Sequence, residues 1–188
     1  MKNKRACITM SACVTIDGRI SSFHYEVPNQ IKNGGWTSEL DKSIFNELVI
    51  ENDIIMAGRT TANLMPNMGK PFALITSRYS SLNPIPESFK QKGMINVVPP
   101  EKESILKFVE ANKKSKILLC GGAQTYSLLL GLDLVDYITL TIEPVVLAQG
   151  LGLAADSGLK LEKFNKFSLV KSQAFEGGTI LLNYKREF

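Results

Sequence analysis

Short apolar runs alternate along the chain with longer stretches of helical periodicity. The runs are rich in β-branched residues, and they are ACITMSACVTI from Ala6, DIIMAG from Asp53, FALIT from Phe72, INVV from Ile95, KILLC from Lys116 and YITLTI from Tyr137. Runs of this length and composition are typical of buried strands. The chain is therefore expected to contain a sheet built from these strands.

Helical spacing lies between the apolar runs. In residues 38–51 the apolar positions fall on one stripe, and Ser38 with Asp41 forms the pattern of a capping box at the start. A second helical stretch opens at Pro100, and a third covers residues 123–130. Strands that alternate with helices in this way predict an α/β domain of three αβα layers with a mostly parallel central sheet.

The last part of the chain carries a different pattern. Two apolar segments, FSLVKSQAF and TILLNYK, are separated by Glu176-Gly177-Gly178, which is typical of an antiparallel hairpin. No internal repeat, low-complexity tract or linker divides the chain. Residues 1–188 are therefore expected to form a single domain that ends in a C-terminal antiparallel hairpin.

Composition and charge exclude several classes of function. The chain has 188 residues, of which 44% are apolar, and a net charge of +4 from 22 basic and 18 acidic residues. No block of like charge is long enough to grip a nucleic-acid backbone, so no nucleic-acid partner is expected. No stretch approaches the roughly 20 apolar residues of a membrane span, so no membrane partner is expected either.

Cysteine and histidine are sparse. Cys7, Cys13 and Cys120 are too few and odd in number for a disulfide framework, which favours a reducing cytoplasm. His24 is the single histidine and leaves no two-histidine centre. Metal catalysis is therefore not predicted.

Three predicted strands end in segments suited to an anion. Gly121-Gly122 stands between a strand and the helix at Ala123, where backbone N–H groups can receive a phosphate. Gly58-Arg59-Thr60-Thr61, a predicted turn, and Thr76-Ser77-Arg78 follow two other strands and add hydroxyl and guanidinium groups. Because ligands gather at the carboxyl ends of parallel strands, the three segments predict one phosphate-bearing ligand. The alternative is that the glycines only form a turn and the arginines are only surface charges.

The order and spacing of these segments resemble the dihydrofolate reductase superfamily, and within it the reductase domain of the bifunctional riboflavin-biosynthesis deaminase-reductase and its stand-alone relatives. The similarity extends from about Ala6 to Tyr184. The segments nearest the riboflavin branch are Asp17-Gly18-Arg19-Ile20, Leu134-Val135-Asp136 and Pro144-Val145-Val146-Leu147. The resemblance implies a dihydrofolate reductase-like fold and, as in relatives on the riboflavin branch, a homodimer.

The resemblance also implies that NADPH is the cofactor and donates a hydride. Its adenosine 2′-phosphate and diphosphate would be held by Gly58, Arg59, Thr60 and Thr61 together with Thr76, Ser77 and Arg78. Gly121, Gly122, Ala123 and Gln124 would meet the diphosphate from the other side. Ala12 and Ile20 would lie against the nicotinamide.

The acceptor pocket is implied by the segment GGWTSELDKSIF, which begins at Gly34. In folate reductases a tryptophan, a carboxylate five residues later and a phenylalanine four residues beyond line the pterin pocket, and Trp36, Asp41 and Phe45 have this spacing. A buried Asp41 could bind an aminopyrimidine ring and help to protonate it. The alternative is that Asp41 only closes the capping box with Ser38 and that Phe45 only packs in the core.

Two departures from the family leave the acceptor open. Where folate reductases carry an arginine for the glutamate tail, this chain has Lys70, a poorer partner for a carboxylate. The riboflavin enzymes usually have Asp-Asp-Pro and an arginine where this chain has ANLMP from Ala62. We expect an NADPH-dependent reductase for an aminopyrimidine or pterin, with 5-amino-6-(5-phosphoribosylamino)uracil reduction ahead of dihydrofolate reduction. A nucleotide-binding protein without catalysis is the alternative from another class.

Overall fold

The computed structural model describes residues 5–21, 35–79, 84–91, 93–154 and 165–187, with residues 94 and 95 described by their backbone alone. His24, the single histidine, and Gly34, which begins the segment predicted to line the acceptor pocket, lie outside these residues. None of the helices in the described part of the chain is long and apolar enough to cross a membrane.

Ten strands and five helices make up the described part of the chain. The strands are β1 Cys7–Thr15, β2 Arg19–Ser21, β3 Ile54–Gly58, β4 Phe72–Ile75, β5 Met94–Val98, β6 Lys116–Leu119, β7 Tyr137–Glu143, β8 Leu151–Gly152, β9 Phe167–Ala174 and β10 Ile180–Arg186. The helices are α1 Glu39–Glu51, α2 Arg59–Leu64, α3 Glu87–Lys90, α4 Lys102–Ala111 and α5 Ala123–Gly131. Every strand and helix predicted from the apolar pattern is present, whereas β2, β8, α2 and α3 were not predicted.

The segment that follows Gly58 differs from its prediction as a turn. Arg59 begins the short helix α2, although threonine and asparagine are weak helix formers. Tertiary contacts explain the helix, because Ala62 is buried in the core and the N–H group of Met65 closes the last turn on the Thr61 carbonyl.

Eight strands form one sheet in the order β5-β4-β3-β6-β1-β7-β10-β9. The pairs from β5 to β7 are parallel, while β10 runs antiparallel to both β7 and β9. The remaining strands, β2 and β8, form a separate antiparallel pair. The predicted mostly parallel sheet with a C-terminal antiparallel hairpin is therefore confirmed.

Helices cover both faces of the sheet, as the three-layer prediction requires. On one face α4 and α5 contribute Ile105, Val109 and Leu129 to a core that also contains Ile8 and Met10 of β1. On the other face α1, α2 and α3 contribute side chains to a second core, including Val49, Ala62 and Phe89. Strand alternation sends the intervening β1 positions toward the α1 side.

Strand β1 extends beyond β6 at the carboxyl edge of the sheet. These strands pair from Cys7 to Met10, after which β1 continues to Thr15 beside β7 alone. In open α/β sheets ligands bind outside the carboxyl ends of the strands. The segments predicted to bind the cofactor follow β3, β4 and β6 at this edge.

Candidate active site

Two of the segments predicted to bind the cofactor touch each other at the carboxyl edge. The N–H group of Gly58 donates to the carbonyl oxygen of Gly121 at 2.7 Å. The hydroxyl oxygen of Thr61 lies within 3.5 Å of the positions that a Cβ would take at Gly121 and Gly122. The end of β3 and the turn after β6 therefore form one continuous surface.

Two glycines of this surface are required by close packing. Gly121 has a φ of +113°, and a Cβ there would lie 3.1 Å from the hydroxyl oxygen of Tyr126. A Cβ at Gly58 would lie 2.5 Å from the hydroxyl oxygen of Thr125 in α5. The peptide bond between Gly121 and Gly122 is cis. A Cβ at Gly122 would meet Thr61 alone, at 3.3 Å, so this position is less crowded than Gly58 and Gly121.

The N-terminus of α5 suits an anion. Gly122 is the N-cap and supplies no side-chain cap, while its carbonyl accepts the N–H groups of Thr125 and Tyr126 at 2.9 and 3.0 Å. Among the residues that the structure describes, nothing bonds to the N–H groups of Ala123 and Gln124. Unpaired N–H groups at the positive end of a helix dipole are a common phosphate site.

The third segment lies beside the first, because Gly58 of β3 pairs in register with Ile75 of β4. Arg59 and Thr76 therefore follow neighbouring strand ends. Thr76 is buried, and its hydroxyl accepts the N–H group of Arg78 at 3.1 Å. Ser77 and Arg78 are exposed, as is Thr60 in the first turn of α2. The structure thus brings all three segments to one edge of the sheet.

Asp41 lies in the first turn of α1 and faces the sheet. Its backbone N–H donates to the hydroxyl of the N-cap Ser38 at 3.1 Å, so half of the predicted capping box is present. Its carboxylate does not return to the N–H group of Ser38, which donates instead to Glu143 at 3.0 Å. The carboxylate of Asp41 accepts a hydrogen bond from the hydroxyl of Thr141 in β7. The cap is therefore made by the backbone of Asp41 and leaves its side chain available.

Burial dominates the electrostatics around Asp41. It raises the pKa of the carboxyl above its ordinary value, and the charge of Glu143 adds to the rise. Hydrogen bonds from Thr141 and Cys13 oppose it, as does the charge of Lys42. Burial also raises the pKa of the Cys13 thiol, with the charge of Asp41 as the second cause. A carboxyl whose proton is held more tightly than usual is suited to proton transfer.

The two sides predicted for the pocket meet at Thr141. Its hydroxyl oxygen lies 3.5 Å from the carbonyl oxygen of Ala12, the strand residue expected beside the nicotinamide. Ala12 is buried, and Ile20 packs against the same core. One helical turn after Asp41, Phe45 packs against the second core, and Trp36 is partly buried before the N-cap.

Lys70 lies away from this group. It precedes β4, and its amino group donates to the carbonyl oxygen of Ile50 in the last turn of α1 at 3.1 Å. Ile50 is nine helical steps from Asp41, which corresponds to about 13 Å along the axis. A ligand held by Asp41 would have to extend along α1 to reach Lys70.

Several residues of the pocket were missed in the sequence. Thr141, Glu143 and Cys13 are polar, and register pairing places Cys13 beside Thr141 and Thr15 beside Glu143 on the same face of the sheet. The alternation of polar residues with Ile138, Leu140 and Ile142 along β7 was the signal available. Within the described residues, no group of three or more histidine, cysteine, aspartate or glutamate side chains is arranged to hold a metal ion.

A groove of about 800 Å³ lies on the α1 side of the sheet, at the other end of α1 from Asp41. It is lined by Leu48, Thr9, Tyr137 and Asn183 among others, and by none of the residues predicted to bind cofactor or acceptor. The size of this groove alone does not make it the candidate catalytic site. Asp41, the carboxyl group whose pKa is raised by burial, lies at the carboxyl edge of the sheet with its polar neighbours.

Comparison with solved structures identifies the fold. A protein of Shewanella sp. PV-4, provisionally named as a riboflavin biosynthesis protein, is 20% identical, with a TM-score of 0.73 over 97% of this chain and 99% of that one. The diaminohydroxyphosphoribosylaminopyrimidine deaminase/5-amino-6-(5-phosphoribosylamino)uracil reductase of Thermotoga maritima is 17% identical, with a TM-score of 0.72 over 98% of this chain and 57% of its own length. The riboflavin biosynthesis reductase of Saccharomyces cerevisiae is 15% identical, with a TM-score of 0.60 over 100% of this chain and 92% of that one.

These similarities show that the chain has the fold of the riboflavin-biosynthesis reductases, as its resemblance to the dihydrofolate reductase superfamily implied. No family model matches the sequence, and no curated protein matches it.

Proposed function

We propose that the chain is an NADPH-dependent reductase of an aminopyrimidine, of the 5-amino-6-(5-phosphoribosylamino)uracil reductase type. One observation carries the proposal: the hydroxyl of Thr141 lies between the carboxylate of Asp41 and the carbonyl of Ala12. The residue expected to bind the acceptor and the residue expected beside the nicotinamide thus share one neighbour. The reductases among the structures of the same fold support the assignment.

The residues at the carboxyl edge fit the phosphates of NADPH, which supplies a hydride when bound. The N–H groups at the start of α5 would receive the diphosphate, and the less crowded position at Gly122 permits its approach. Arg59 and Arg78, at neighbouring strand ends, would bind the 2′-phosphate through charge-assisted hydrogen bonds.

Asp41 would bind the acceptor through the two adjacent nitrogens of an aminopyrimidine edge. A carboxyl group offers two oxygens to a ring N–H and an exocyclic amino group, and Thr141 fixes its orientation. The C=N bond of the substrate is the imine that forms when the sugar ring of the ribosylamino group opens by breaking its C–O bond. Reduction then adds a hydride to the imine carbon and a proton to its nitrogen. Asp41, with its raised pKa, would be the source of that proton, and Phe45 on the same face of the sheet would help to exclude water.

Dihydrofolate reduction is the second candidate, favoured by the spacing of Trp36, Asp41 and Phe45. A pterin also offers Asp41 a ring N–H beside an exocyclic amino group, so the two substrates differ in the position of that pair on the ring and in what extends from it. The glutamate tail of a folate would have to reach Lys70, about 13 Å along α1. Lys70 already donates to the carbonyl of Ile50, and a single ammonium is a weaker partner for a carboxylate than an arginine.

A homodimer in the cytoplasm belongs to the same proposal. Strand β9 forms one edge of the eight-stranded sheet, and its Leu169 and Val170 are 52% and 65% exposed. Apolar side chains on an edge strand favour pairing with a second copy. The free thiols of Cys7, Cys13 and Cys120 are suited to a reducing compartment. Sedimentation of the purified protein tests the dimer.

The experiment that tests the function is a substrate comparison. Loss of NADPH absorbance is followed with 5-amino-6-(5-phosphoribosylamino)uracil, with dihydrofolate and without acceptor, and NADPH binding is measured by calorimetry. Turnover of the pyrimidine alone supports the proposal, whereas turnover of dihydrofolate alone replaces it with the second candidate. Saturable NADPH binding without oxidation by either acceptor would show a nucleotide-binding protein that has no reductase activity.

A further inference from the structure

A buried carboxylate that the sequence analysis did not single out lies behind the pocket. Glu143, the last residue of β7, is 3% exposed and accepts three hydrogen bonds. Ser38 donates both its backbone N–H and its hydroxyl to Oε1, at 3.0 and 2.6 Å, and Thr179 donates its hydroxyl to Oε2 at 2.8 Å. Hydrogen bonds to a buried charge are among the strongest in proteins. Glu143 therefore ties the N-terminus of α1 to β7 and to the segment that precedes β10.

The position of these bonds in the helix cap is informative. Asp41 is the third residue of α1, where a capping box would direct its carboxylate back to the N–H group of Ser38. Glu143 occupies that N–H group, so the carboxylate of Asp41 has no donor at the cap. It turns to Thr141, two residues before Glu143 on the same face of β7. The two carboxylates thus use different donors: Glu143 accepts from Ser38 at the start of α1, and Asp41 accepts from Thr141 in β7.

We propose that Glu143 is a positioning residue for Asp41: by binding Ser38 it fixes the start of α1 and keeps the Asp41 carboxylate in the acceptor pocket. The role of Asp41 in this inference rests on the proposed function. Without Glu143 the N–H group of Ser38 is left to Asp41, which returns to the cap and leaves Thr141. A displacement of about 1 Å in a reacting group can lower a rate by about 100-fold.

The test compares Glu143→Ala and Glu143→Gln with Asp41→Asn and the double variant Glu143→Ala/Asp41→Asn. The alanine variant should lose about 10- to 100-fold in kcat while its NADPH affinity stays within about twofold. The glutamine side chain can still accept from Ser38, so this variant should recover most of the turnover. In the Asp41→Asn background, removal of Glu143 should cost little more, because a residue that acts through another has nothing left to position.

A second measurement does not depend on turnover. Carbon-13 NMR of labelled aspartate, assigned with Asp41→Asn, follows the titration of Asp41. The ionisable groups that influence it are Cys13 of β1, Glu143 of β7, Lys42 of α1 and Tyr126 of α5. Loss of the Glu143 charge should lower the pKa of Asp41 in both variants. In the alanine variant the resonance itself should also shift, because the carboxylate gains the N–H group of Ser38 and loses Thr141.

Asp136→Asn is the matched control. Asp136 also accepts three hydrogen bonds, two from Arg5 and one from the N–H group of Ile8, but it lies near the start of β1. This variant should lower the melting temperature and leave the titration of Asp41 unchanged.

An equal loss of kcat from Glu143→Ala in both backgrounds would overturn the inference, as would an Asp41 resonance and titration unchanged in the alanine variant. If the parent protein turns over no acceptor, the proposed function fails and the NMR measurement alone decides on Glu143. If the alanine variant does not fold, the glutamine variant decides: near-normal turnover with a lowered Asp41 pKa supports the inference, and an unmoved titration contradicts it.

Discussion

Asp41→Asn separates a carboxyl group that takes part in the reaction from one that only caps α1. The amide has the size of the carboxylate and can still accept from Thr141, but it lacks the charge and the transferable proton. The capping bond in the structure is made by the backbone N–H of Asp41, which the substitution leaves in place. We therefore expect turnover to fall by about 100-fold or more, while NADPH affinity changes by less than about twofold.

Thermal stability gives the second readout. A lost cap is worth about 0.5–2 kcal/mol, which for a domain of this size corresponds to a fall in Tm of about 1–8 °C. The pocket assignment predicts no such fall at neutral pH. Because burial raises the pKa of Asp41, the ionised carboxylate opposes folding, and the amide should match or exceed the parent in stability.

The sign of the pH dependence follows from the same shift. Below the ordinary value of 3.8 the carboxyl is protonated in both the folded and the unfolded chain, so its raised pKa costs no stability. As pH rises through the higher folded value, the unfolded chain ionises more readily and the parent loses stability relative to the variant. The Tm difference in favour of Asp41→Asn should therefore be largest at neutral pH and disappear in acid.

Glu39→Gln is the control, since it removes a charge from the same helical turn at a side chain that is 89% exposed. It should leave turnover unchanged. If the Asp41→Asn variant keeps full turnover and melts several degrees lower than the parent at neutral pH, the reasoning is refuted. Asp41 would then be only a helix cap.

Three further outcomes are expected. Arg59→Ala should weaken NADPH by about 1.5–3 kcal/mol and leave NADH nearly unchanged, and equal affinity of the parent for both cofactors by calorimetry at matched salt would contradict this. Gly122→Val should abolish NADPH binding by blocking the approach of the diphosphate, and the chain should still fold because a Cβ there meets only Thr61. Normal NADPH binding by this variant would show that the two glycines only form a turn. Arg5→Ala should lower unfolding stability in urea by about 1–3 kcal/mol, by leaving the partly buried Asp136 without its two guanidinium hydrogen bonds, with kinetics unchanged.

Local sequence pattern was sufficient for the layers of this fold and insufficient for its sheet order. The run KILLC predicted a buried strand correctly, because composition and length decide burial. Its place between β3 and β1 depends on the crossover that follows α4, and the sequence contains no local signal for that choice. At Arg59 even the local structure could not be predicted from the sequence. A turn was predicted there, but a helix forms because Ala62 is buried in the core.

The placement of the candidate site residues was predictable where motifs lie at strand ends and unpredictable where two carboxylates compete for one donor. Gly58 and Gly121 could be assigned to one edge because parallel strands end together. The sequence predicted a complete capping box between Ser38 and Asp41. In the structure the N–H group of Ser38 donates to Glu143 instead, which is 105 residues away in the chain. Nothing in the local sequence indicates which carboxylate takes that donor.

The bond from Thr179 to Glu143 also makes the surroundings of Asp41 depend on the C-terminal hairpin. Glu143 is anchored on one side by a residue that immediately precedes β10, and β10 is held between β7 and β9. A series of hydrogen bonds therefore runs from the hairpin through Glu143 and Ser38 to the first turn of α1. The surroundings of Asp41 should be native only when β10 is paired with β7.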